Sequence, residues 1–180
     1  MELLLSKIID HIGDHMPILS TIDEDCGQLE AYADESRDNY PLTFPAVLIN
    51  VDSIDWSNTG GDPNHRAQFG RLTIRVRLLI DCYDDIHYGS NGQKKAAERQ
   101  SLVHQLHATI NGFKPFNNEA TEQYYQMTRI RSMYQAGPHN VKVYDQYYTL
   151  TVRESTPCQT AKANKPTVKI SVSRVSHENQ

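Results

Sequence analysis

Cysteine is scarce in this chain: Cys26, Cys82 and Cys158 are the only three, and no two of them have C-x-x-C spacing. That pattern excludes a disulfide framework and a zinc knuckle, and it points to a reducing compartment. Long apolar runs are missing as well. Met1 to Met16 opens on Leu3, Leu4 and Leu5, but Lys7, Asp10, His11 and Asp14 interrupt it well short of a signal-peptide core or a membrane span. The protein is expected to stay in the compartment where it is made, with no membrane partner. Basic charge is not in excess either. Lys and Arg number 18 against 22 Asp and Glu, a formal charge of -4, which argues against bulk nucleic-acid binding.

The spacings that carry common chemistries are also absent. The chain contains no G-x-x-x-x-G-K-[ST], no G-x-G-x-x-G, no G-x-S-x-G and no H-E-x-x-H, so the mechanisms those patterns serve have no support. His104 and His107 lie three apart and could both reach one metal, but no third ligand follows at a recognisable spacing, and they read as polar-face histidines. Asp23, Glu24 and Asp25 form one acidic cluster, and Asp84 and Asp85 another. Acid/base work needs one member of such a pair in a desolvating pocket, whereas loop carboxylates are ordinarily solvated. Ten tyrosines, concentrated towards the end of the chain near arginines, could stack on RNA bases. The signature run of an RNA-recognition sheet is missing, and a packed sheet face explains them better. No enzyme activity, cofactor, metal or specific nucleic-acid partner is expected.

What is present is a chain of 180 residues, 38% hydrophobic, long enough for one domain or one domain with an appendage. Leu5, Ile8, Ile9 and Ile12 share a helical face, predicting a short amphipathic helix that ends near Gly13. The segment from Asp23 to Tyr40 is acidic and polar. Pro45 then marks the start of a strand from Ala46 to Val51. Residues 52–68, "DSIDWSNTGGDPNHRAQ", read as a long loop joining this strand to the next in an antiparallel hairpin. The spacing of Val103, Leu106, Ile110 and Phe113 predicts a main helix from Lys94 to Phe113, stopped by Asn111 and Gly112. Two strands follow, "EQYYQMTRIRSMY" and "HNVKVYDQYYTLTVRES", with a turn at Gly137 and Pro138, and Tyr144, Tyr148, Leu150 and Val152 on one face of the second. Helices and hairpins segregate, so the expected class is α+β: a largely antiparallel sheet with helices packed on one face, over residues 1–154.

The strand after the long loop, "FGRLTIRVRLLIDCY", alternates from Leu72 to Cys82, which puts Leu72, Ile74, Val76, Leu78, Ile80 and Cys82 in the core and Arg71, Arg75 and Arg77 on the opposite face. Arg129 and Arg131, two residues apart on a later strand, repeat the pattern. If the two strands are neighbours, the sheet has a basic face. These arginines either pair with acidic residues of the same body and snorkel over the sheet, or meet an acidic partner surface, where a guanidinium binds carboxylates bidentately. The segment from Asp23 to Asp38 could supply that surface from a second copy, in the heterologous contact that builds rings.

Residues 155–180 differ in kind. "STPCQTAKANKP" is linker-like, and "TVKISVSRV" alternates Val168, Ile170 and Val172 against Lys169, Ser171 and Ser173. This basic extension is expected either to stay a passive tail or to add as a strand to its own sheet or a neighbour's.

The order of these elements, with "FPAVLINV", "RLTIRVRLLIDCY", "KKAAERQSLVHQLHATINGF" and "YDQYYTLTVRE" in sequence, resembles the tail terminator, or tail completion, proteins of long-tailed bacteriophages and prophages. The resemblance covers about Met1 to Glu154 and rests on layout. It implies a virion protein, assembled in the host cytoplasm, that forms a homohexameric ring on the tail tube. That ring would halt tube polymerisation and offer a docking face to the head. The implied partners are further copies of itself, the tail tube protein and a head-completion or connector protein. Arg71, Arg75, Arg77, Arg129, Arg131, Val168, Ile170 and Val172 are the candidate interface residues. The residues leave two alternatives open: another head-to-tail connector component, or an RNA-binding α+β module.

Overall fold

A computed structural model of the chain describes residues 2–34, 42–59, 65–84, 86–90, 92–116 and 126–157. The expected class holds. Five strands form one sheet, all antiparallel except for one short parallel pair, in the order β1-β2-β3-β5-β4. They are β1 (Thr21–Glu24), β2 (Ala46–Thr59), β3 (His65–Asp81), β4 (Thr128–Ala136) and β5 (Val141–Pro157). Helices α1 (Glu2–His15) and α3 (Gln93–Ile110) cover one face, and a short helix α2 (Gln28–Ala33) lies on the other.

Alternation decides the two faces. Leu72, Ile74, Val76, Leu78 and Ile80 of β3 join Val47 and Ile49 of β2 and Tyr148 and Leu150 of β5 under the two long helices. α1 contributes Leu4, Leu5, Ile8 and Ile12 at helical spacing, and α3 contributes Leu102, Val103, Leu106 and Ile110. Non-directional burial of these side chains, at about 25 cal/mol per Å² of apolar surface, is what fastens helices to sheet. On the opposite face a smaller cluster packs Leu29 of α2 and Leu42 against Ala46, Leu48, Leu79, Val141 and Val143.

Three expectations are corrected. The loop of residues 52–68 is mostly strand: β2 continues to Thr59 and β3 begins at His65, so the two form one long hairpin. A bulge between Val51 and Ser53 carries β2 past its expected end. The same irregularity reverses parity, so that Val47, Ile49 and Val51 share the helix-covered face with Ile54 and Trp56. Residues 21–33, read only as part of an acidic and polar stretch with no element assigned, form β1 and α2. Gly27 links them at φ 90°, a left-handed conformation that a residue with a Cβ adopts only at a cost. α1 and β5 each run two residues beyond their expected ends, to His15 and Pro157.

Candidate interaction surface

The open face of the sheet holds an ion-pair network centred on Arg77. This residue is 6% exposed, so the expectation that all the odd-numbered arginines of β3 lie outside the core is corrected. Its Nε donates to Asp145 Oδ1 at 3.1 Å on the neighbouring β5, and its Nη1 lies 3.3 Å from Asp25 Oδ2 and 3.4 Å from Glu30 Oε1. Burial alone would favour the neutral guanidine, but Asp25, Asp145 and Glu30 outweigh it and hold the group above its ordinary value. Gln135 of β4 donates to the second Asp145 oxygen at 2.9 Å. Arg75 reaches Asp25 at 3.4 Å and Asp52 at 3.6 Å.

Two members of the acidic segment that could have met a second copy, Asp25 and Glu30, therefore meet arginines of their own chain. Asp25 and Glu30 sit 50 and 47 residues before the arginines they approach. The network closes α2 and the turn before it onto the sheet. Asp25, expected to be solvated, is enclosed. Asp84 is pinned as well, between Lys95 at 2.6 Å and Arg99 at 3.3 Å, and the hydrogen bond from Lys95 holds its carboxyl below the usual range. Asp85 lies outside the described residues.

Arg129 and Arg131 do not share a face. A bulge between them sets Arg129 opposite Tyr148, on the helix-covered side, and Arg131 opposite Tyr147, on the open side. The Arg129 backbone N–H donates to Asn111 Oδ1 at the end of α3, and the Arg131 guanidinium lies over the Tyr147 ring at 5.7 Å. Both side chains stay exposed, as does Arg71, whose Nε donates to Thr149 Oγ1. β4 is an edge strand, exposed along almost its whole length, and it adds Ile130 and Tyr134, 53% and 61% exposed, to the two arginines. The opposite flank, at β1 and α2, carries Glu24 and Glu30 on its surface. Both flanks lie at one level along the strands: β1 pairs with Ala46–Ile49 of β2, and β4 runs across the sheet from the level of Ile80 to that of Thr73.

Beneath α3 is a polar string that sequence reasoning missed. The Tyr148 hydroxyl donates to Gln146 Oε1 at 2.6 Å, and Gln146 Nε2 donates to the Val103 carbonyl at 3.2 Å. With the Tyr148 proton committed to Gln146, its oxygen is left to accept, which assigns the proton of His107 to Nδ1, 3.3 Å away. His104 contacts Gln100 instead, and the two histidines are not brought onto one ligand position. Among the described residues no group of three or more His, Cys, Asp or Glu could hold a metal ion, and no helix is long and apolar enough to cross a membrane. Val168, Ile170 and Val172 lie outside the described residues.

No family model matches this chain, and no curated protein matches it. Among solved structures, a chain from the virion of a native gene transfer agent particle is similar to it at 6% identity and a TM-score of 0.40, over 84% of this chain and 92% of that one. A TM-score below 0.5 does not establish a shared fold.

Proposed function

We propose that this chain is a non-catalytic virion protein of the tail terminator kind, a subunit that joins head to tail in copies and closes a ring over the end of a tail tube. The observation that carries the reading is the pair of unlike flanks on one sheet. β4 presents Arg129, Arg131, Ile130 and Tyr134, and the β1 side presents Glu24 and Glu30 at the same height. Unlike patches on opposite sides of one subunit are what a heterologous contact needs, and a rotation that closes turns such a contact into a ring instead of a filament. The layout resemblance adds the number six and the partners: the tail tube protein on one side of the ring and a head-completion or connector protein on the other.

The contact takes its specificity from charge and its strength from the apolar residues beside it. Exposed ion pairs contribute only up to about 1 kcal/mol each, so Ile130 and Tyr134 supply the burial. Arg77 contributes indirectly, by holding α2 and Glu30 in place. Arg71 and the exposed part of Arg75 remain available on the open face for the tube or the head partner.

Deleting the chain from a phage or prophage that carries it is the direct test. The expected products are tail tubes of uncontrolled length and heads without tails, seen by electron microscopy. Tails of normal length attached to heads would refute the proposal.

A further inference from the structure

Beyond β1, the outer edge of β2 is uncovered. β1 pairs with Ala46 to Ile49 only, and no described strand lies along the edge from Asn50 to Thr59. This stretch carries Ile54 and Trp56 towards the helix-covered face, with Trp56 still 44% exposed, and Asp55 towards the other. Asp55 has no ion pair among the described residues, and the neighbouring Asp52 is met by Arg75 and by the side-chain amide of Asn50. An edge that is apolar on one face, acidic on the other and open in its backbone is a template for one more strand.

We infer that the edge is filled by Thr167–Val175 of the same chain, a segment that lies outside the described residues, added antiparallel to β2. Pattern, charge and reach each support this occupant. With Val168, Ile170 and Val172 towards Ile54 and Trp56, the period of two carries Lys169 to the side of Asp55. The other open edges suit a basic strand poorly. β4 carries Arg129 and Arg131, the far half of β5 carries Arg153, and β1 is four residues long. β5 ends at Pro157, paired with His65 at the far end of the hairpin. The docking position lies three strand spacings across the sheet, about 14 Å. Residues 158–166 span up to about 30 Å when extended, enough to turn round the hairpin tip and run back along β2. The inference does not depend on the ring, whose acidic patch at β1 and α2 lies further along the same side of the sheet.

Trp56 is the only tryptophan in the chain, so its fluorescence reads this edge alone. In the full-length protein the emission should be blue-shifted and protected from acrylamide. Ile170→Asp should shift the emission red and raise quenching severalfold. Asp55→Lys should do the same, and adding Lys169→Glu to Asp55→Lys should restore the original spectrum. Unchanged emission and quenching in Ile170→Asp would overturn the inference. So would a blue shift that disappears on dilution, since the strand would then come from another copy.

Discussion

Removing Arg77 would leave Asp145, its side chain 3% exposed, without its cation, and would leave Asp25 to Arg75 alone. Breaking a buried pair from one side costs about 3–5 kcal/mol, because the remaining charge stays desolvated. Arg77→Met is therefore expected to lose about that much stability in urea unfolding, whereas Arg71→Met, at an exposed position on the same strand, should stay within about 0.5 kcal/mol. Equal effects would remove the distinction drawn between these two arginines. Tyr148→Phe tests the string under α3. It leaves the buried Gln146 Oε1 without its donor and should cost about 1–3 kcal/mol. His107 gives the pH dependence: burial, then Arg129, then His104 lower its value below the ordinary 6.5. Between that lowered value and about 6.5 the unfolded chain binds more protons than the native one, so this contribution is complete above about pH 6.5 and is lost as pH falls. His107→Gln should flatten that part of the stability profile, and an unchanged slope would contradict the assignment.

At the scale of elements, strict periodicity was legible and its interruptions were not. The run from Leu72 to Ile80 showed both the strand and its buried face, and the three-and-four spacing of Val103, Leu106 and Ile110 showed α3. Both misjudged stretches of sheet contain a bulge. At Asp52 it flips the parity of β2, so "DSIDWSNT" falls out of phase with "AVLINV" and, beside the turn residues Gly60, Gly61 and Pro63, read as loop; at Ile130 it separates two arginines that a period of two puts together. A bulge is one extra residue with no composition of its own, so it leaves no mark in a pattern count. β1 and α2 were hidden for another reason: they are four and six residues long, and ion pairs from Asp25 and Glu30 to Arg75 and Arg77 of β3 help hold them down. The candidate site followed suit. The arginines were legible, but which of them the chain would enclose depended on contacts distant in sequence. Gly70 probes the extended hairpin: a Cβ there would come within 2.8 Å of the Trp56 ring. Gly70→Ala should displace that side chain, shift its emission and cost about 1–3 kcal/mol. No spectral change would mean that the far half of β2 does not lie across Gly70.

For the whole molecule, two pairs of arginines are expected to behave in opposite ways. Charge reversal at Arg75 and Arg77 adds carboxylates to an enclosed acidic cluster and should unfold the chain. Reversal at Arg129 and Arg131 should leave the melting temperature nearly unchanged and weaken assembly roughly tenfold or more, with the difference shrinking in high salt as exposed charges are screened. Closure of the chain into a ring through its unlike flanks is read most directly from its native mass in solution. Native mass spectrometry at micromolar concentration should find a species of six times the 20.5 kDa chain mass, converted to smaller species by Arg129→Glu with Arg131→Glu. A monomer at every concentration, with or without the two reversals, would contradict the account.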